Sequence, residues 1–145
     1  MASKLSPMRD AFHDELDAIT QTLIDMAMLV KNATKDSTTA LLTADLALAE
    51  KVIAQDDVID SMQHELDSRT MSLLATQQPV ASDLRTLVTS LRMSADLERM
   101  GDMAHHISKL ARMRHPATAV PPEASLTIEE MGRVAGLIIG KVAKI

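Results

Sequence analysis

The chain has 145 residues, a net charge of −5 at pH 7, 11 methionines, one phenylalanine, and no cysteine, tryptophan or tyrosine. That length suits one domain, or one domain and part of another, and can bury about two thirds of the unfolded surface. The missing cysteines exclude disulfides, thiolate metal ligands and cysteine nucleophiles, and the acidic balance argues against nucleic acid as the main partner.

Few aromatics with abundant straight-chain residues favour helix over sheet. No apolar run approaches about 18 residues and the N-terminus lacks the apolar core of a secretory signal, which points to a soluble, cytoplasmic protein. Ser6-Pro7 reads as a helix cap followed by proline at the first helical position. Phe12, Leu16, Ile19, Leu23, Met26 and Val30 then recur at alternating steps of four and three, a coiled-coil-like seam that continues through Ala33, Ser37 and Leu41. Lys35-Asp36-Ser37 and Thr43-Ala44-Asp45 both offer an end. The seam runs through the first, so the helix is placed to the second, where Asp45 caps the next helix.

The second seam is Leu48, Val52, Ile59, Met62, Leu66 and Leu73, with polar Gln55 and Arg69 at the intervening positions. Gln77-Gln78-Pro79 ends it, because the residue before proline avoids the helical region. A third segment runs from Ser82, read as its cap, to Arg114, with a later seam of Met93, Leu97, Met100, Ala104, Ile107 and Ala111. Lys109, Arg112 and Arg114 complement the helix dipole in its last turns. Three helices of about 30–35 residues, each about 45–53 Å long, predict an all-α fold, an antiparallel three-helix bundle over residues 8–115. A four-helix bundle is the competitor.

The stretch 116–124, with Pro116, Pro121 and Pro122, reads as a linker. A fourth helix over 125–145 starts near Ser125, with Thr127 and Glu130 spaced as a capping box. Its seam is Ile128, Met131, Ala135, Ile138, Val142 and Ile145, running to the last residue without a stop signal. This predicts the start of a second, incomplete bundle, in a chain that is either a fragment or a natural truncation, with residues 1–7 vector-derived or an alternative start. Gly132, Gly136 and Gly140 form a double GxxxG; the flanking Arg133, Lys141 and Lys144 favour close packing of soluble helices over a lipid setting. Ile138, Val142 and Ile145 left bare would form an apolar patch, which predicts a dimer or a swapped arrangement.

The chemistry gathers at Leu97-Glu98-Arg99-Met100-Gly101-Asp102. Glu98 and Asp102 are one helical turn apart, so their carboxylates share a face and repel unless a cation lies between them. Carboxylate oxygens suit hard cations and also join iron or zinc sites. The plain alternative is a solvated acidic pair, whose repulsion costs only about 0.2–0.5 kcal/mol. At about 100° per residue both point away from the Leu97/Met100/Ala104 stripe, yet they line up with Leu84, Leu87 and Leu91 of the same helix. His105-His106 follows by three and four residues and offers an imidazole ligand, against the commoner reading of surface histidines. Asp57 and Asp96 are equally readable as extra ligands or solvated groups. The methionines read as core filler, and no Gly-rich phosphate loop, nucleophile elbow or H-E-x-x-H pattern occurs.

Gln78-Pro79-Val80-Ala81-Ser82-Asp83-Leu84-Arg85, followed by Asp96-Leu97-Glu98-Arg99-Met100-Gly101-Asp102, resembles the PhoU family of phosphate-transport regulators. So do Met8-Arg9-Asp10-Ala11-Phe12-His13-Asp14-Glu15-Leu16 and Ala49-Glu50-Lys51-Val52-Ile53 with Asp56 and Asp60, so the likeness covers nearly everything from Met8 onward. The resemblance implies tandem three-helix bundles whose E/D-x-x-x-D motifs bind clustered metal ions. It also implies a regulatory, non-enzymatic role between a phosphate importer and a membrane sensor histidine kinase, lowering phosphate-starvation expression when phosphate is ample. Carried over by residue, Asp56 and Asp60 match the second-helix motif and Glu98 and Asp102 the third-helix one. Together they are expected to form one acidic surface cluster for iron, zinc or magnesium. The family chain is longer, and only the beginning of its second repeat is matched here. Membrane association is expected only through partners. The competing class is a carboxylate-bridged di-metal bundle enzyme, which would need Glu-x-x-His pairs on several helices; the nearest spacing in the acidic segment is Asp102 to His105.

Overall fold

The computed structural model describes residues 5–144, with side chains from Met8 onward. Ser6 and Pro7, expected as cap and first helical residue, are already helical, because the first helix includes Leu5, and Ile145 lies outside the described residues. Helix α1 spans Leu5–Thr43, α2 Leu46–Thr76 and α3 Ala81–Arg114; a short 3-10 turn at Pro122–Ala124 leads into α4, Ser125–Val142. No strand occurs among the described residues. Both predicted helix ends fall where expected, after Thr43 and at Gln77.

The first turn is built by one residue acting twice. The Asp45 N–H donates to the Ala40 carbonyl at 3.2 Å, closing α1, while its carboxylate accepts from the Leu48 N–H at 3.0 Å and caps α2. That closure requires Ala44 in the left-handed region, at φ 53°, where glycine is usual. The later starts differ from expectation. Val80 and Ala124 precede α3 and α4 and neither offers a side-chain cap. Ser82, Thr127 and Glu130 therefore lie inside their helices, and Glu130 pairs with Arg133 instead of closing a capping box.

The ion pairs Arg69–Glu15 and Lys51–Asp36 bridge α1 and α2 in their antiparallel register. Such exposed pairs contribute about 0–1 kcal/mol each. The larger contribution is burial: Ile19, Met26 and Val30 of α1, Ile59 and Leu66 of α2 and Leu87 of α3 are all but sealed from solvent, each worth about 1.5–3 kcal/mol. The α1 seam is the expected one, with Ala27 and Ala40 added on the side that meets further helices.

The buried stripe of α3 is Leu87, Ser90, Ser94, Leu97, Gly101, Ala104, Ser108 and Ala111. Met93, Met100 and Ile107, placed on the seam from sequence, flank it half-buried. Small residues take the centre because the helices approach closely: a Cβ on Gly101 would lie 3.1 Å from Ile59 Cδ1. The serines tolerate burial through local bonds, as when Ser90 Oγ donates to the Thr86 carbonyl at 2.8 Å.

The segment before α4 is fastened to the bundle end. Thr118 Oγ1 lies 3.3 Å from the Leu41 carbonyl it donates to, and Val120 is buried beside Ala40 and Ala111. Helix α4 then runs antiparallel along α1, with Gly132 opposite Thr38 and Gly140 opposite Lys31. Its inner face carries Ile128, Ala135 and buried Ile139, whereas Met131 and Ile138 of the expected seam point outward. The glycine face wins because it allows closer approach, which leaves Leu126, Met131, Val134, Leu137 and Ile138 exposed. A Cβ on Gly132 would fall 2.6 Å from Thr38 Cγ2. Gly132→Ala is therefore expected to destabilise, although helix propensity alone would gain about 1 kcal/mol. Thr38→Ala should rescue it, with a coupling of about 0.5–3 kcal/mol in urea unfolding; a stabilising Gly132→Ala would refute the contact.

Candidate metal centre

The register that sets Ser94 Oγ 3.0 Å from Asp67 Oδ1 also sets His105 of α3 opposite Asp56 of α2. Asp56 follows Val52 by one turn and precedes Ile59 by three residues, so the seam that buries those residues draws its carboxylate inward as well. Asp56 is 6 % exposed. Its Oδ2 lies 2.8 Å from His105 Nδ1, while Oδ1 has no hydrogen-bond partner. His105 Nδ1 is also 3.9 Å from Asp102 Oδ1, one turn earlier on α3. One ligand atom each from Asp56, Asp102 and His105 fit within 4.8 Å of one another.

Asp60 and Glu98 extend the acidic group. Asp60 Oδ1 is buried and unpartnered. Removal from water, and after it the carboxylates of Asp60, Asp102 and Asp56, push the Glu98 carboxyl above its ordinary range. Asp56 is pushed up as well, first by burial and then by Asp60, while the hydrogen bond and charge of His105 pull it partly back. The lysine and arginine pairs among the described residues lie elsewhere, at Asp36, Glu15 and Glu130. The α2–α3 face thus concentrates negative charge against two buried carboxylate oxygens without partners. A cation would satisfy both. The residues fit a metal on that ground, with Asp56 at the base and half-buried Asp102 at the mouth.

All four carboxylates expected from sequence meet here: Asp56, Asp60, Glu98 and Asp102. Glu98 and Asp102 flank the single buried stripe of α3, which does not change face: Leu84 is 43 % exposed and Leu87 buried. Asp57 and Asp96 are exposed to solvent. Sequence reasoning undervalued His105, whose side chain is 16 % exposed, against 65 % for its neighbour His106. Pairing α2 and α3 antiparallel about their acidic pairs would have flagged it. His106 Nε2 remains at the rim, 3.7 Å from Asp102 Oδ1.

A family model described as the PhoU domain matches residues 23–111. The phosphate-specific transport system accessory protein PhoU homolog 2 of Mycobacterium tuberculosis is 44 % identical over 128 residues, 88 % of this chain and 60 % of that protein. PhoU homolog 1 of Mycobacterium leprae is 41 % identical over 88 % of this chain and 58 % of its own length. The crystal structure of PhoU from Pseudomonas aeruginosa superposes with a TM-score of 0.84 at 30 % identity, covering 89 % of this chain and 61 % of that one. The chain thus spans about three fifths of the length of these relatives.

Proposed function

The chain belongs to the PhoU family, and from that premise we propose that it acts as a metal-binding regulatory adaptor of phosphate uptake rather than as an enzyme. The observation that carries this reading is the convergence of Asp56, Asp60, Glu98 and Asp102 across α2 and α3, with two buried carboxylate oxygens unpartnered. These residues would hold iron, zinc or magnesium. The ion supplies positive charge between the helices: it links α2 to α3, and its loss leaves like charges to push them apart. Glu98 and Asp102 draw the cation to the surface, and Asp56 anchors it from beneath.

The adaptor contacts a phosphate-importer subunit and a sensor histidine kinase, and dampens the starvation response when phosphate is ample. Residues 8–115 form the metal-bearing unit, 116–124 the link, and α4 the first helix of a second bundle. Leu126, Met131, Val134, Leu137 and Ile138 give α4 an outer apolar face suited to that bundle or to a homodimer. No described helix is long and apolar enough to cross a membrane; the protein works in the cytoplasm and reaches the membrane through its partners. The di-metal enzyme reading is weaker because no Glu-x-x-His pair occurs in the chain.

The test is repression of a phosphate-starvation promoter in a bacterium lacking its own family member. Wild type is expected to lower reporter output several-fold at high phosphate, and Asp56→Asn with Asp60→Asn, Glu98→Gln and Asp102→Asn to lose that effect. No repression by wild type would refute the regulatory role, and equal repression by the variant would refute the metal's part in it.

A further inference from the structure

The four carboxylates alone would make an all-oxygen site, the kind that hard cations such as magnesium and calcium occupy. One nitrogen changes that chemistry. His105 is held by α3 with Nδ1 turned toward the acidic group, 2.8 Å from Asp56 Oδ2 and 3.9 Å from Asp102 Oδ1. Two ligands at about 2.1 Å from one ion stand about 3.0–3.4 Å apart, depending on angle, so these spacings bracket what a shared ion needs. The cation would take the place of the proton that joins Nδ1 to Oδ2, and the ring proton would then reside on Nε2, which is buried and has no hydrogen-bond partner among the described residues. Asp56 is more than nine-tenths buried with Oδ1 unpartnered, so the pair has an unsatisfied acceptor on the same side.

We infer that His105, through Nδ1, completes with Asp56 and Asp102 a mixed nitrogen–oxygen site that selects a borderline transition ion, zinc or ferrous iron, over magnesium. This rests on the carboxylate-site reading above and adds to it a selectivity that carboxylates alone do not give. Asp102 and Glu98 admit the ion from solvent, and imidazole, a softer donor than carboxylate, decides which ion stays. His106 is excluded from that role by its place at the rim: it is 65 % exposed and contacts Asp102 alone among the four carboxylates.

The test is equilibrium dialysis of the 145-residue chain against zinc and magnesium, together with pulsed EPR of the copper(II)-loaded protein. Wild type should prefer zinc and show one imidazole nitrogen on copper. His105→Gln should lower zinc affinity by more than the roughly 10–100-fold that loss of a supporting hydrogen bond costs, leave magnesium affinity in place, and abolish the nitrogen signal. His106→Gln should change neither. If wild type binds metal but His105→Gln keeps both the zinc-to-magnesium ratio and the nitrogen signal, His105 is not a ligand and the carboxylate site stands without it. If wild type takes up neither ion, both readings fall. Should His105→Gln lose its helicity, the copper spectrum of folded His106→Gln decides, since absence of imidazole there overturns the inference.

Discussion

Adding zinc, ferrous iron or magnesium to the metal-free protein is expected to raise its thermal midpoint, and to leave Glu98→Gln with Asp102→Asn unmoved. A ligand at a hundred times its dissociation constant adds about 2.7 kcal/mol, which for a domain of this size is about 5–10 °C. The double variant should keep its helicity, because Glu98 and Asp102 flank the buried stripe of α3 and do not fill it. Without metal the same groups make stability fall with rising pH. Burial and neighbouring carboxylates raise Asp56 and Glu98, so the folded state holds those protons more tightly than the unfolded chain. Below the ordinary carboxylate range both states are protonated and the groups make no difference. As pH climbs through that range the unfolded chain ionises first, and the folded chain must follow against burial and repulsion. Glu98→Gln should therefore raise the metal-free midpoint at neutral pH and not in acid. Melts across pH, with and without each ion, check both statements. If no ion lifts wild type more than the double variant, the chain lacks the site and the regulatory reading rests on kinship alone.

What was legible in the sequence was whatever bulky periodicity or turn chemistry could carry. The α1 seam, the Thr43-Ala44-Asp45 turn and the proline after α2 each act locally, so their signal lies within a few residues. The central stripe of α3 was obscured because small residues mark it: Ser90, Ser94, Gly101 and Ser108 are buried by the closeness of α1 and α2. A hydrophobicity pattern ranks them below Met93, Met100 and Ile107, which only flank the contact. The outer Met131 and Ile138 of α4 misled for the same reason, since the glycine face allowed closer approach to Thr38 and Lys31. In the candidate site, the carboxylates were visible as i,i+4 pairs and by resemblance. His105 needed the register between two helices, a quantity that no single helix encodes.

That close approach makes a bulky side chain at Gly101 costly, whereas a small one is tolerated. Gly101→Ala is expected to be near neutral: it gains about 1 kcal/mol of helix propensity, offset by displacing Ile59 Cδ1, which an added Cβ would meet at 3.1 Å. Gly101→Leu has no such outlet, because Ile59 Cγ2 and Val30 Cγ2 stand at 3.4 and 3.7 Å behind. Overpacking of this kind should cost about 3 kcal/mol. Ile59→Ala alone should cost about 2–5 kcal/mol through the cavity it leaves. Combined, the two changes should cost less than their sum by about 0.5–3 kcal/mol, because leucine then occupies the vacated volume. The effect reaches the metal as well. Gly101 lies between Glu98 and Asp102 on α3, so forcing α3 off α2 separates Asp102 and His105 from Asp56. Gly101→Leu should thus lose most of its zinc-induced rise in midpoint while keeping all four carboxylates, and Ile59→Ala should restore part of it. Urea unfolding of the four proteins, with and without zinc, reads both effects. Additive costs, or a full zinc response in Gly101→Leu, would mean that the α2–α3 spacing at this glycine does not hold the site together.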